Sequence, residues 1–205
     1  MLFRSAANPV KGRAVLTVGD LVGVKAGGNP HRWYSPANVQ QVIAEIVRAY
    51  SKLDPKDAAY FARQKSELET GRLAQYKRLT ATIKRRFHGT PVGASESIFA
   101  PLAQALGLDL VTPPSFLKAI SEGTEPTAAD KTTIDRQIAR KQIKVWVFNS
   151  QNSTPDVTRL TDAARKKGIP IATITETLTP ASATFEQWQV RQLKALEAAL
   201  ARATK

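Results

Sequence analysis

From Pro91 onward the sequence alternates between short apolar runs and longer amphipathic ones, and no other feature constrains the fold so tightly. Val92-Gly93-Ala94, Leu108 to Val111, Val145 to Phe148 and Ile171 to Ile174 have the length and composition of strands. Helical stretches lie between and after them, around Ile98 to Leu106, Ala128 to Arg140, Asp156 to Lys167 and Phe185 to Ala203. Such alternation predicts a parallel sheet with helices on both faces. The run Val145-Trp146-Val147-Phe148 is apolar throughout, as expected of a strand covered on both sides. Gly107 and Gly168 stand where helices should stop, and Thr127 with Asp130 forms a Thr-x-x-acid capping box. The Pro113-Pro114 step is read as opening a longer loop.

Ahead of Pro91 the pattern differs. Ala14 to Val18 reads as a short buried strand broken by Gly19-Asp20. Gly27-Gly28-Asn29-Pro30-His31-Arg32-Trp33-Tyr34-Ser35-Pro36 has too many breakers for helix or strand and must be a shaped loop. Ser35-Pro36 then caps a helix whose apolar stripe is Val39, Val42, Ile43, Ile46, Val47 and Tyr50. A second helix starts at Asp54-Pro55 and runs to about Phe87. Roughly 30 residues at 1.5 Å each make a rod of ~45 Å, longer than a small lobe is wide. Gly71 inside it costs about 1 kcal/mol against alanine and marks a place for a kink or a break. The expectation is an α/β protein of two lobes joined by a long rigid helix, each lobe with a parallel sheet flanked by helices and the first incomplete. The divisions are 1–53, 54–88 and 89–205.

Composition removes several classes of function. The 205 residues contain no cysteine, which excludes disulfides, thiolate metal sites and cysteine nucleophiles. No apolar run is long enough to span a bilayer, and Met1 to Ser5 does not have the form of a signal peptide. The formal net charge is +13, which favours anionic neighbours. The basic residues are scattered along helices, as in Lys84-Arg85-Arg86 and Arg165-Lys166-Lys167, and a solvated face is the simpler reading. A basic α/β module binding nucleic acid or another polyanion is the alternative.

Ligands of an open parallel sheet bind beyond the carboxyl ends of its strands. That rule selects Ser95-Glu96, Asn149-Ser150-Gln151 and Thr175-Glu176. Glu96 could instead complement a helix start, and Glu176 could be an exposed loop acid. With His31 from the shaped loop, the two carboxylates make a nitrogen–oxygen donor set suited to zinc or manganese. No Gly-x-Ser-x-Gly elbow and no phosphate-binding glycine loop is present. His88, at a helix end, suits a dipole-complementing role. No catalytic residue is assigned.

Asn29-Pro30-His31-Arg32-Trp33-Tyr34-Ser35-Pro36 resembles the Asn-Pro-His-x-Trp-x-x-Pro segment of metal-specific solute-binding proteins of ABC transporters, the zinc/manganese cluster. Ala94 to Phe99, Glu125-Pro126-Thr127 and Gly168-Ile169-Pro170-Ile171 resemble later segments of that family in the same order. The resemblance implies metal ligands at His31, Glu96 and Glu176, with Trp33, Tyr34, Asn149 and Gln151 packed around them. It implies a non-enzymatic periplasmic or cell-surface protein that captures zinc or manganese between two lobes and passes it to an ABC permease. A monomer without nucleic-acid partners is expected, and a metal chaperone or adhesin of the same fold is the nearer alternative. Family members contribute a further histidine from an N-terminal portion that this sequence lacks, so a truncated chain with three of four ligands is expected.

Overall fold

The computed structural model describes residues 14–204. The expectation concerning Met1 to Ser5 lies outside them. Four parallel strands, β1 (Pro91–Ala94), β2 (Asp109–Leu110), β3 (Val145–Asn149) and β4 (Ile171–Ile174), form one sheet in the order β2-β1-β3-β4. The β1–β3 register pairs Val92 with Val145 and Ala94 with Val147, and β3–β4 pairs Trp146 with Ile171. Between β1 and β3 the strand order reverses, and this switch point lies at the rim that carries Glu96 and Asn149.

The sheet is covered on both faces. Val92, Ala94, Val145, Val147, Ala172 and Ile174 point into one core, with α4 (Ala74–Phe87), α5 (Ala100–Leu106) and α9 (Phe185–Ala203). Trp146 points the other way, into a second core built by α6 (Pro114–Glu122), α7 (Ala128–Ala139) and α8 (Pro155–Lys166). This alternation along β3 is the two-residue period of a strand, here apolar on both sides. Trp146 satisfies its buried indole N–H by donating to Thr161 Oγ1 at 3.0 Å. Gly93 lies beneath that indole, where an added Cβ would meet Ile143 Cδ1 at 2.6 Å and Trp146 Cε3 at 2.8 Å.

The helix starts follow local chemistry. Ser35 Oγ accepts the Asn38 N–H at the head of α2 (Pro36–Leu53), with Pro36 at the first position. Thr127 caps α7 by accepting from Asp130 N, and Thr184 and Gln187 form a reciprocal capping box on α9. Pro113-Pro114 opens a short helix, α6, rather than a longer loop, since proline is accommodated at a first turn.

Three further expectations need correction. Ala14 to Val18 is not a strand: residues 14–17 have no regular structure and Val18–Leu21 is a single helical turn, α1. Among the described residues it has no partner strand, and an isolated apolar run of this length has nothing to pair with. No sheet precedes Pro91 among the described residues, so the parallel sheet expected in a first lobe is not found there. The helix expected from Asp54 to Phe87 is also not one uniform rod. A 3-10 turn (Pro55–Asp57) leads into α3 (Ala58–Glu67), and a π-helical turn over Leu68–Arg72, containing Gly71, separates α3 from α4. The interruption anticipated at Gly71 therefore takes the form of a π-turn.

Candidate metal centre

His31 is 6% exposed although it belongs to a loop. Asn29 holds it. The Asn29 Oδ1 accepts the His31 backbone N–H at 3.0 Å and stands 2.9 Å from Nδ1. A carbonyl oxygen can only accept, so Nδ1 carries the proton and Nε2 keeps its lone pair. The Asn29 amide donates in turn to the Ser97 carbonyl at 2.6 Å, tying this loop to the segment after β1. His31 Nε2 faces Glu176 Oε1 at 3.7 Å. Burial holds the imidazole below its usual pKa, partly opposed by the Glu176 charge, so the ring favours the neutral, electron-donating form.

Glu176 extends from the loop after β4, and its side chain is half exposed. The backbone beneath it is fixed. Gln151 Oε1 accepts the N–H groups of Glu176 and Thr177 at 2.7 and 2.9 Å. Thr175 receives the Trp188 indole N–H on its hydroxyl at 2.8 Å, and its own N–H donates to Gln192 Oε1 at 2.8 Å. The Tyr34 hydroxyl, fully buried, lies 2.7 Å from both the Thr175 carbonyl and Gln192 Oε1. Burial drives its pKa well upward, which keeps it a donor.

Glu96 is 3% exposed. The Asn149 amide donates to its Oε1 at 2.5 Å and the Asn152 amide donates to its Oε2. Burial pushes its pKa upward, the two amides pull it down, and the nearby Glu176 charge pushes it up again. Asn149 is itself held by Ser95, whose Oγ accepts its backbone N–H at 3.0 Å. Two amides on one carboxylate leave further lone pairs on each oxygen for a cation.

The structure thus brings His31 and Glu176 together and sets Glu96 deeper in the same rim, turned toward its amides. Among the described residues no three His, Cys, Asp or Glu side chains form a closed metal-binding group. Trp33 packs edge-on to His31 with ring centroids 5.3 Å apart. Trp33 also lines an apolar cavity of about 620 Å³ bounded by Val42, Ile43, Leu73 and Phe185, which neither Glu96 nor Glu176 lines. The sequence alone does not mark Asn152 and Asn29 as partners of the site. The amide-rich run Asn149-Ser150-Gln151-Asn152 at a strand end was the available signal for the first.

The family model described as zinc-uptake complex component A, periplasmic, matches residues 5–199. The chain belongs to this family. It is a family of periplasmic metal-binding proteins, not of enzymes. No curated protein sequence matches the chain. Among solved structures, a manganese-bound single-site variant of a periplasmic metal-binding protein from Candidatus Liberibacter asiaticus superposes with a TM-score of 0.74. Its identity is 20%, over 94% of this chain and 74% of that one. A cadmium-bound form from the same organism gives 0.72 at 19% identity, over 94% and 73%. A structure of ZnuA gives 0.62 at 18%, over 87% and 61%. At these identities the likeness establishes the fold. No helix among the described residues is long and apolar enough to cross a membrane.

Proposed function

We propose that the chain captures a divalent cation, zinc or manganese, as an extracytoplasmic solute-binding protein and hands it to the membrane permease of an ABC importer. In this reading His31 Nε2 supplies imidazole, and Glu96 and Glu176 supply carboxylates. Residues 1–53 and 89–205 are the two lobes, and residues 54–88 are the bridge. The observation that carries the reading is the buried His31, its Nδ1 committed to Asn29 and its Nε2 aimed at Glu176 Oε1 at 3.7 Å. That arrangement fixes the tautomer a metal ligand needs. Glu96, held by its two amides in the same rim, completes the donor set through the lone pairs they leave free. The metal-bound neighbours support a divalent cation and leave its identity to measurement.

The test is calorimetric titration of zinc and manganese into the protein and into His31→Ala, Glu96→Ala and Glu176→Ala. Each substitution removes a donor, so metal affinity should fall in all three. Affinity unchanged by both His31→Ala and Glu176→Ala would overturn the assignment. Delivery is tested by reconstituting uptake with the cognate permease in vesicles, where Glu176→Ala should abolish metal-dependent transport.

A further inference from the structure

Basic residues that look scattered along the sequence are gathered by the topology onto one edge of the sheet. The four strands are parallel, so the helices feeding them end at a common edge. That edge is opposite the rim of Glu96, Asn149 and Glu176. α4 ends in Lys84, Arg85 and Arg86, just ahead of β1. Arg140 and Lys141 follow α7, and Lys144 immediately precedes β3 with its N–H bonded to the Pro91 carbonyl at 2.9 Å. Arg165, Lys166 and Lys167 close α8 ahead of β4. α9 runs parallel to α4, with Arg72–Glu186 paired near the two starts at 2.9 Å and Arg86–Glu197 further along at 3.0 Å. Arg202, at the end of α9, therefore joins the same edge.

All ten of these side chains are exposed. The acids in these segments are few: Asp162 pairs with Arg165 at 2.8 Å, Glu197 pairs with Arg86, and Asp109 starts β2. A helix dipole accounts for a cation in a last turn. It does not account for Lys144, Lys141 or Lys167, which lie outside the helices. Strands of four or five residues put roughly 13–17 Å between the two edges. That exceeds a Debye length of ~8 Å, so the basic edge does not repel a cation arriving at the opposite rim.

We infer that this basic edge is a docking surface for anionic phospholipid headgroups, holding the protein on a bilayer with the Glu96–Glu176 rim turned to solution for capture, a contact it leaves before the rim can face a permease. The edge is built from five separate segments and carries cations without exposed large apolar side chains; those, such as Val15, Leu53 and Leu178, lie elsewhere. It therefore offers neither a wedge for the acyl region nor the aromatic platform on which single-stranded nucleic acid stacks. A periplasmic protein is bounded by bilayers, and the contact is reversible and salt-dependent.

The inference does not depend on the metal ligands, and its test keeps the two apart. Sedimentation of the protein with phosphatidylcholine vesicles, with and without phosphatidylglycerol, should show binding only to the anionic ones. Reversal of three edge charges, Arg85→Glu, Lys144→Glu and Lys167→Glu together, should lower partitioning by at least about 100-fold. The control Lys52→Glu, Lys56→Glu and Arg63→Glu makes the same change in net charge elsewhere and should lower it by only a few fold. Both variants should melt like the parent and bind metal like the parent. Equal losses in the two variants, no preference for anionic vesicles, or tighter binding to single-stranded nucleic acid at the same salt would each overturn it.

Discussion

The carboxamide of Asn29 does three things at once: it accepts from the His31 backbone, accepts from His31 Nδ1 and donates to Ser97. Removing it in Asn29→Ala frees the ring to flip and to change tautomer. Such a partner is typically worth about 10- to 100-fold in metal affinity, and calorimetry on the variant should show a loss in that range. The imidazole also predicts a pH response. Burial lowers the folded His31 below its ordinary value of 6.5, so the unfolded chain binds the proton first as pH falls. Stability present above 6.5 is therefore lost as pH drops below it. Glu96 acts oppositely: raised above 4.5, it contributes stability at low pH that is lost as pH rises through its folded value. Urea titrations at about pH 7.5 and about pH 5.5 should show a smaller acid-induced loss in His31→Ala than in the parent. That His31, Glu96 and Glu176 stand at one rim was legible, because a residue type in a loop or at a strand end is a local fact. The amide contacts of Asn152 and Asn29 were not, since they depend on which loops face each other across the rim.

Elements governed by local chemistry were readable: Ser35-Pro36, Thr127 with Asp130, and the strands from Val92 to Ile174 all lie where periodicity and caps put them. The strand assigned to Ala14–Val18 failed because composition reports strand-forming tendency while a strand requires a neighbour. Glycine context separates two substitutions at this scale. At Gly71 an added Cβ meets nothing within 4 Å, and the backbone is not left-handed. Gly71→Ala should raise stability by about 0.4–1 kcal/mol through the unfolded chain, seen as a higher urea midpoint. At Gly93 the same addition collides with Trp146 and Ile143. Gly93→Ala should lower stability by about 1–3 kcal/mol, with loss of near-ultraviolet signal from the displaced indole.

Across the whole molecule, Tyr34 is the link between the early loop and the last strand, its hydroxyl reaching Thr175 and Gln192 from 141 and 158 residues away. Tyr34→Phe keeps the ring in the core and removes that link, at a cost of about 1–2 kcal/mol on chemical unfolding. Metal should act over the same span. A ligand bound only by the native state, at 100 times its dissociation constant, adds about 2.7 kcal/mol to unfolding, and the melting temperature should rise with metal concentration. The distance along the chain between His31 and Glu176 has a consequence for the order of events in the cell. Of the proposed donors, His31 comes from the first fifth of the sequence and Glu176 from the last, and Glu176 takes its place only when β4 has joined β3. Long-range pairings of this kind form late in folding. An unfinished or unfolded chain has only isolated donors to offer, so on the proposed reading metal binding waits for folding.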